Sequence, residues 1–183
     1  MKSSKTWIAV GLIVALGPIV WLLFGYFGIQ ALFTDKTVNE EVPPVVMTTS
    51  TAPAAKLPAG FTGPLVIADG EFQQGDSTYR IEGRATITEE NGKRTLSLTD
   101  FDVTNGPDLY VYLVRSPNTD NKTVKDAVGA GSFVSLATLK GNKGNQMYEI
   151  PSDLDLSEGY VVSIWCKRFF RNFGSAEMNE RVY

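Results

Sequence analysis

The sequence of 183 residues contains no histidine and a single cysteine, Cys166. The absence of histidine excludes most zinc sites, histidine-ligated haem, Ser-His-Asp triads and the usual proton shuttles. A single cysteine excludes a disulfide within the chain, so the fold must be stable without that cross-link. Charge is nearly balanced, with 17 basic and 20 acidic residues and a pI near 5.0. No nucleic-acid partner is expected, because phosphate binding requires a basic face.

Charged residues are also absent from residues 7–33, which read WIAVGLIVALGPIVWLLFGYFGIQALF. About 20 apolar residues cross a bilayer, so this segment predicts a transmembrane helix, kinked at Pro18. Lys2 and Lys5 lie in the short tail of residues 1–6, and acidic residues follow the segment. The positive-inside rule therefore predicts a single-pass protein of the cell membrane, with a cytoplasmic N-terminus and the rest outside. A cleaved signal peptide is the alternative, although its apolar core is usually shorter.

The composition changes over residues 34–60, which are rich in threonine, proline and alanine. Prolines prevent a regular helix there, and too few large apolar residues are present to form a core. This segment predicts a flexible, semi-extended stalk. Residues 61–183 remain for one folded domain.

Short alternating apolar stretches, bounded by Gly, Asn, Asp and Pro, follow one another through this domain. Asn91-Gly92 predicts a tight hairpin, and the near-continuous apolar run Leu109–Val114 predicts a central strand. Further strands are expected over residues 160–170 and 175–182, whereas residues 115–131 read as a polar loop. About eight short strands without a convincing helix predict an all-β fold, either an antiparallel β-sandwich or a barrel.

Three segments together carry a resemblance to a known family. They are LTDFDVTNGPDLYVYL at residues 98–113, KGNKGNQMYEIP at residues 140–151, and YVVSIWCKRFFRNFGSAEM at residues 160–178. In this order and spacing they resemble the DM-thirteen domain, an all-β module described as an electron-transfer domain. The resemblance covers residues 63–183 and implies an extracytoplasmic redox role. The cysteine of the family's tryptophan–cysteine pair falls on Cys166, which is therefore the redox-active candidate.

Five further residues are possible supports for that role: Trp165, Lys167, Arg168, Asp108 and Tyr110. Cations next to Cys166 would favour its thiolate, and the aromatic rings are candidate stepping points for an electron. Each has a structural alternative. With period-two alternation Cys166 shares a face with Tyr160, Val162 and Ile164, so it can be a buried thiol that packs as a small hydrophobe. The aromatic residues suit strand packing, and Asp108 ends an Asn-Gly-Pro-Asp turn.

No cofactor is firmly implied. A haem-thiolate at Cys166 is an open alternative, for which Met147, Met178 or water would supply the second ligand. A weak calcium site around Asp100, Asp102 and Asp108 is another. No acid–base or nucleophile constellation of an enzyme can be assembled from the spacings.

Three hypotheses about function follow, and the weakest of them is an enzyme with an unrecognised site. The first is a membrane-tethered redox module that exchanges electrons or thiols with an unidentified extracytoplasmic partner through Cys166. The second is a non-catalytic binding or adhesion module of the cell surface with a structural cysteine. The bilayer is the other expected partner, through residues 7–33.

Overall fold

A computed structural model describes residues 4–26, 34–43 and 63–181 of the chain. The chain forms two compact units. The first takes in Met1–Thr34 with Asn105–Pro107, and the second takes in Asp35–Thr104 with Asp108–Tyr183.

The N-terminal unit contains helix α1, Ser4–Trp21, which continues as a π-helical turn over Leu22–Tyr26. Pro18 lies inside α1, four residues before the π-helical turn begins. Within the described residues, no helix has both the length and the apolar character that are needed to cross a bilayer. The predicted transmembrane helix over residues 7–33 is therefore not confirmed, and residues 27–33 lie outside the described part of the chain.

The described residues of the second unit form nine strands and one helix. In chain order these are β1 Leu65–Gln74, β2 Ile81–Glu90, β3 Lys93–Val103, β4 Leu109–Val114, α2 Asn121–Gly129, β5 Phe133–Thr138, β6 Gln146–Ile150, β7 Val161–Cys166, β8 Arg171–Glu177 and β9 Asn179–Glu180.

Eight of these strands are hydrogen-bonded side by side in the order β5-β4-β7-β8-β1-β2-β3-β6, and β9 pairs with β1. Every pairing is antiparallel. The two ends of this path approach each other, because the Lys140 N–H after β5 donates to the Tyr148 hydroxyl on β6 at 3.0 Å. The result is a nearly closed eight-stranded barrel, which confirms the all-β antiparallel prediction and decides for the barrel.

Side chains of β4 and β7 are buried on both faces, as the unbroken apolar run in β4 predicts. One face contributes to the main core and the other to a second cluster outside the barrel wall, beneath α2. Each fully buried Val, Leu or Ile stabilises the fold by about 1.5–3 kcal/mol. From these two strands the main core takes Leu109, Val111, Leu113, Val162, Ile164 and Cys166, and the outer cluster takes Tyr112, Val114, Val161 and Trp165.

The hairpin between β2 and β3 turns at the predicted pair. Asn91 and Gly92 have φ of 52° and 76°, the two positive values that a type I′ turn requires. Glu90 and Lys93 then face each other as the first pair of the ladder.

The single strand predicted over residues 160–170 is wrong, because β7 ends at Cys166 and the chain reverses over Lys167–Phe170. Cys166 pairs with Arg171, the first residue of β8. Phe169 and Phe170 extend the apolar pattern in the sequence but are each 48% exposed. The alternation of apolar residues depends on hydrophobicity and carries no information on chain direction, so it predicts a continued strand where the chain turns. The predicted final strand over residues 175–182 likewise divides between β8 and β9.

Helix α2 was not predicted, since residues 115–131 read as a polar loop. The carboxylate of Asp120 caps the helix by accepting from the Thr123 N–H at 2.9 Å. Val124 and Val128, four residues apart, form the buried stripe that packs on the barrel wall. Two valines in nine residues are too weak a periodic signal to identify a helix from sequence.

The first residues of the predicted stalk lie on the barrel. We call residues 35–40 the strap. Its backbone bonds along the loop before β6, where the Val38 N–H donates to the Lys143 carbonyl at 2.9 Å. Lys140 forms an ion pair with Glu40 at 2.7 Å. Glycine is needed opposite the strap, because a Cβ on Gly141 or Gly144 would collide with its carbonyl oxygens. Residues 44–60 of the predicted stalk lie outside the described residues.

Candidate functional site

Cys166 lies at one end of the barrel, as the last residue of β7. Its strand neighbours are Leu109 on β4 and Arg171 on β8. The residue has no solvent exposure, and its side chain belongs to the main core with Val162 and Ile164. The inward orientation expected from period-two alternation is therefore the one observed.

The turn Lys167–Phe170 covers the thiol. Burial raises the pKa of the Cys166 thiol, and the nearby Asp108 carboxylate acts in the same direction. The N–H groups of Phe169 and Arg168, which point to the sulfur, oppose this rise in pKa, as does the Arg168 charge. The net effect is a raised pKa, which keeps the thiol protonated at neutral pH. Because the thiolate is the reactive species, the covered thiol is a poor nucleophile.

Asp108, Lys167 and Arg168 surround the same end of the barrel. Asp108 has φ of 61°, and its carbonyl oxygen accepts from the Lys167 N–H at 3.1 Å. This bond ties the turn over Cys166 to the start of β4. The Lys167 ammonium lies 5.4 Å from the ring centre of Tyr110, within the range of a cation–π contact.

Trp165 and Tyr110 belong to the outer cluster beneath α2, on the other side of the barrel wall from the sulfur. Tyr112 links them, with its ring centre 6.0 Å from that of Tyr110 and 6.3 Å from that of Trp165. Trp165 continues to Phe170 at 4.9 Å, edge to face. An aromatic row therefore runs along the outer wall to the turn that covers Cys166, and its geometry is that of ordinary aromatic packing.

Sequence reasoning missed one residue near the thiol. Tyr79, from the connection between β1 and β2, stacks on Phe173 with ring centres 3.7 Å apart. Burial raises the pKa of Tyr79, and the proximity of Cys166 adds to the increase. No local signal marks Tyr79, because 86 positions separate it from Cys166 and the barrel topology alone brings them together.

The methionines proposed as second haem ligands do not fit that role. The Met178 N–H donates to the Tyr160 carbonyl at the opposite end of β7. The six residues of β7 separate that end from Cys166 by about 20 Å, at roughly 3.3 Å per residue. Met147 lies between Gln146 and Tyr148, which both point inward, so its side chain points away from the barrel interior. Neither thioether can share an iron with the Cys166 sulfur.

The carboxylates suggested for calcium are also not assembled. Lys143 contacts Asp102 at 3.6 Å and neutralises part of its charge. Among the residues that the structure describes, no group of three acidic or cysteine side chains is close enough to hold a metal ion. A cavity of about 370 Å³ lies at the other end of the barrel, between Ile87 and Tyr160. Met178 lines it, but neither Cys166 nor any of its five predicted supporting residues does.

The family model for the electron-transfer DM13 domain matches residues 71–178. This match covers more than half of the chain and includes the strands and the turn that surround Cys166. The chain belongs to the electron-transfer DM13 family. Searches of curated proteins and of solved structures each returned no significant match.

Proposed function

We propose that this DM13 protein is a membrane-tethered, extracytoplasmic redox module in which Cys166 is the group that is oxidised and reduced. The observation that carries the proposal is the position of Cys166 within the matched electron-transfer domain. It ends a strand at the rim of the barrel, under a turn of only four residues. Opening of that turn would expose the sulfur without unfolding the barrel.

The tether rests on the sequence and on the exposure of α1. Residues 7–33 carry no charge, and large side chains of α1 such as Trp7 and Ile13 are each 71% exposed. An apolar surface of this kind favours a lipid environment over water. The charge difference across the segment supports placement of the barrel outside the cytoplasm.

Thiol–disulfide exchange is the chemistry that one cysteine can perform. With the turn open, Cys166 loses its proton to water, and the thiolate attacks one sulfur of a partner disulfide. A new bond joins Cys166 to the partner, and the second partner sulfur leaves as a thiolate. In the reverse step a thiolate of the partner attacks the partner's own sulfur in the mixed disulfide, which reforms a partner disulfide and releases Cys166 as a thiolate. Because burial raises the thiol pKa, the rate is expected to depend on how often the turn opens.

The test is the reaction of the full chain, in detergent micelles, with an aromatic disulfide reagent whose released thiolate is coloured. We expect the native protein to react slowly but measurably, and faster as pH rises. Phe170→Ala should accelerate the reaction, because it removes the ring that packs on Trp165 and closes the turn. Phe169→Ala is the matched control, since Phe169 is equally exposed and neighbours Phe170.

A second candidate is the surface-binding module with a structural thiol, which the complete burial of Cys166 favours. In that case the native thiol reacts only after unfolding, and Phe170→Ala changes stability without changing the native reactivity. That result would overturn the redox assignment of Cys166.

A further inference from the structure

The turn Lys167–Phe170 has a second property that the redox chemistry does not use. Among the described residues outside the N-terminal unit, Phe169 and Phe170 are the two large apolar residues with exposed side chains. Lys167, Arg168 and Arg171 adjoin them and are exposed as well. We call these five consecutive residues the cationic-aromatic turn.

We propose that the cationic-aromatic turn docks on the surface of an anionic lipid bilayer. Aromatic side chains favour the boundary between headgroups and acyl chains, and Lys and Arg side chains are attracted to anionic headgroups. A polypeptide turn that presents two rings and three cations in succession matches both layers of such a surface.

The carboxylates nearest the turn offset only part of that charge. Asp76 forms an ion pair with Lys125 at 2.7 Å, and Asp35 forms one with Lys143 at 2.7 Å. Asp108 lies near the turn and offsets one of its three cations. The five residues of the cationic-aromatic turn, taken together with Asp108, therefore carry a net charge of about +2.

The strap supplies a second reason to expect this end of the barrel at a membrane. It docks beside the loop between β5 and β6, and the Leu139 N–H in that loop donates to the Leu109 carbonyl. Leu109 is the strand neighbour of Cys166, so the strap and the cationic-aromatic turn occupy the same end. Thr34 alone separates the strap from the apolar segment 7–33. This step rests on the proposed tether, whereas the composition of the turn does not.

The experiment uses the full chain with vesicles of phosphatidylcholine alone and of phosphatidylcholine with phosphatidylserine. Flotation of the protein with neutral vesicles reports the tether. Amide hydrogen exchange of residues 167–171 reports docking. At about 1 kcal/mol per cation, a net charge of +2 predicts exchange that is roughly 30-fold slower on anionic than on neutral vesicles. High salt should remove most of the difference by screening.

Lys167→Gln should reduce this difference about fivefold, because it removes one cation. Lys93→Gln is the matched control, since Lys93 is equally an exposed lysine but begins β3 at the opposite end of the barrel. Phe169→Ser combined with Phe170→Ser should remove the protection on both vesicle types.

The outcomes separate the two proposals. If the protein floats but residues 167–171 exchange equally fast on neutral and anionic vesicles, docking is overturned and the tether stands. The turn would then suit an acidic protein surface instead. If the protein does not float with neutral vesicles, the tether fails. In that case docking still stands if the wild-type chain floats with anionic vesicles and the Phe169→Ser, Phe170→Ser variant does not. Docking is overturned if the wild-type chain does not float with anionic vesicles either.

Discussion

A buried carboxylate joins the end of the described chain to the barrel. Asp69 on β1 is 3% exposed and accepts hydrogen bonds from Arg84 on β2 at 2.7 Å and from Arg181, just after β9, at 2.5 Å. Burial acts to raise the pKa of Asp69. The hydrogen bonds and charges of Arg181 and Arg84 outweigh it, so the pKa lies below its usual value.

Asp69→Asn should therefore be strongly destabilising. Removal of one partner from a buried ion pair costs about 3–5 kcal/mol. Here the two arginine side chains are about one-third exposed, so water can replace part of the interaction that they lose with the Asp69 carboxylate. We expect a loss of about 2–3 kcal/mol, or a melting temperature lower by roughly 10 °C. Glu71→Gln is the control, because its 74% exposed carboxylate pairs with the same Arg84 and should cost at most about 0.5 kcal/mol.

Thermal unfolding between pH 3 and pH 7, followed by circular dichroism, measures the loss of stability in both variants and its dependence on pH. The folded-state pKa of Asp69 lies below its unfolded value of about 3.9, so its stabilisation is complete above that pH and is lost as pH falls. The gap between wild type and Asp69→Asn should therefore narrow towards pH 3. Equal losses for Asp69→Asn and Glu71→Gln, or a gap that stays constant with pH, would refute the reasoning.

Three further predictions concern single side chains, and chemical denaturation measures each change in stability. Tyr148→Phe should cost about 1–3 kcal/mol, because it removes the 2.6 Å bond to the buried Gln146. Since burial raises the pKa of Tyr148 to about 12, its ultraviolet titration step should lie near pH 12 and vanish in the variant. Phe170→Gly should be about 1 kcal/mol more stable than Phe170→Ala, because φ is 52°. Asp120→Ala should cost about 1 kcal/mol by loss of the cap on Thr123, and a neutral result would contradict it.

Much of the barrel is local in origin and could be predicted. Asn91-Gly92 specified its hairpin because both residues tolerate positive φ. The unbroken apolar run of β4 indicated a strand buried on both faces. The inward orientation of Cys166 followed from counting alternate residues back to Tyr160, since a β-strand has a side-chain period of exactly two.

The elements that sequence reasoning missed depend on contacts between distant segments. Helix α2 carries one pair of buried valines and acquires its apolar surroundings only against the barrel wall. The turn after Cys166 is invisible to hydrophobicity, because its two phenylalanines continue the pattern of a strand. The strap reads as stalk, and its docking depends on glycines more than 100 residues away.

The sequence by itself determined the balance of charge, the lack of histidine chemistry, the strand periods and the identity of the one thiol. Each of these is a property of residue type or of near neighbours along the chain. The tertiary structure alone decided that the thiol is covered by its own turn, near Tyr79 and Asp108, and that the strap shares its end of the barrel. Burial, pKa and proximity arise when strands distant in sequence are brought side by side, and no local pattern records them.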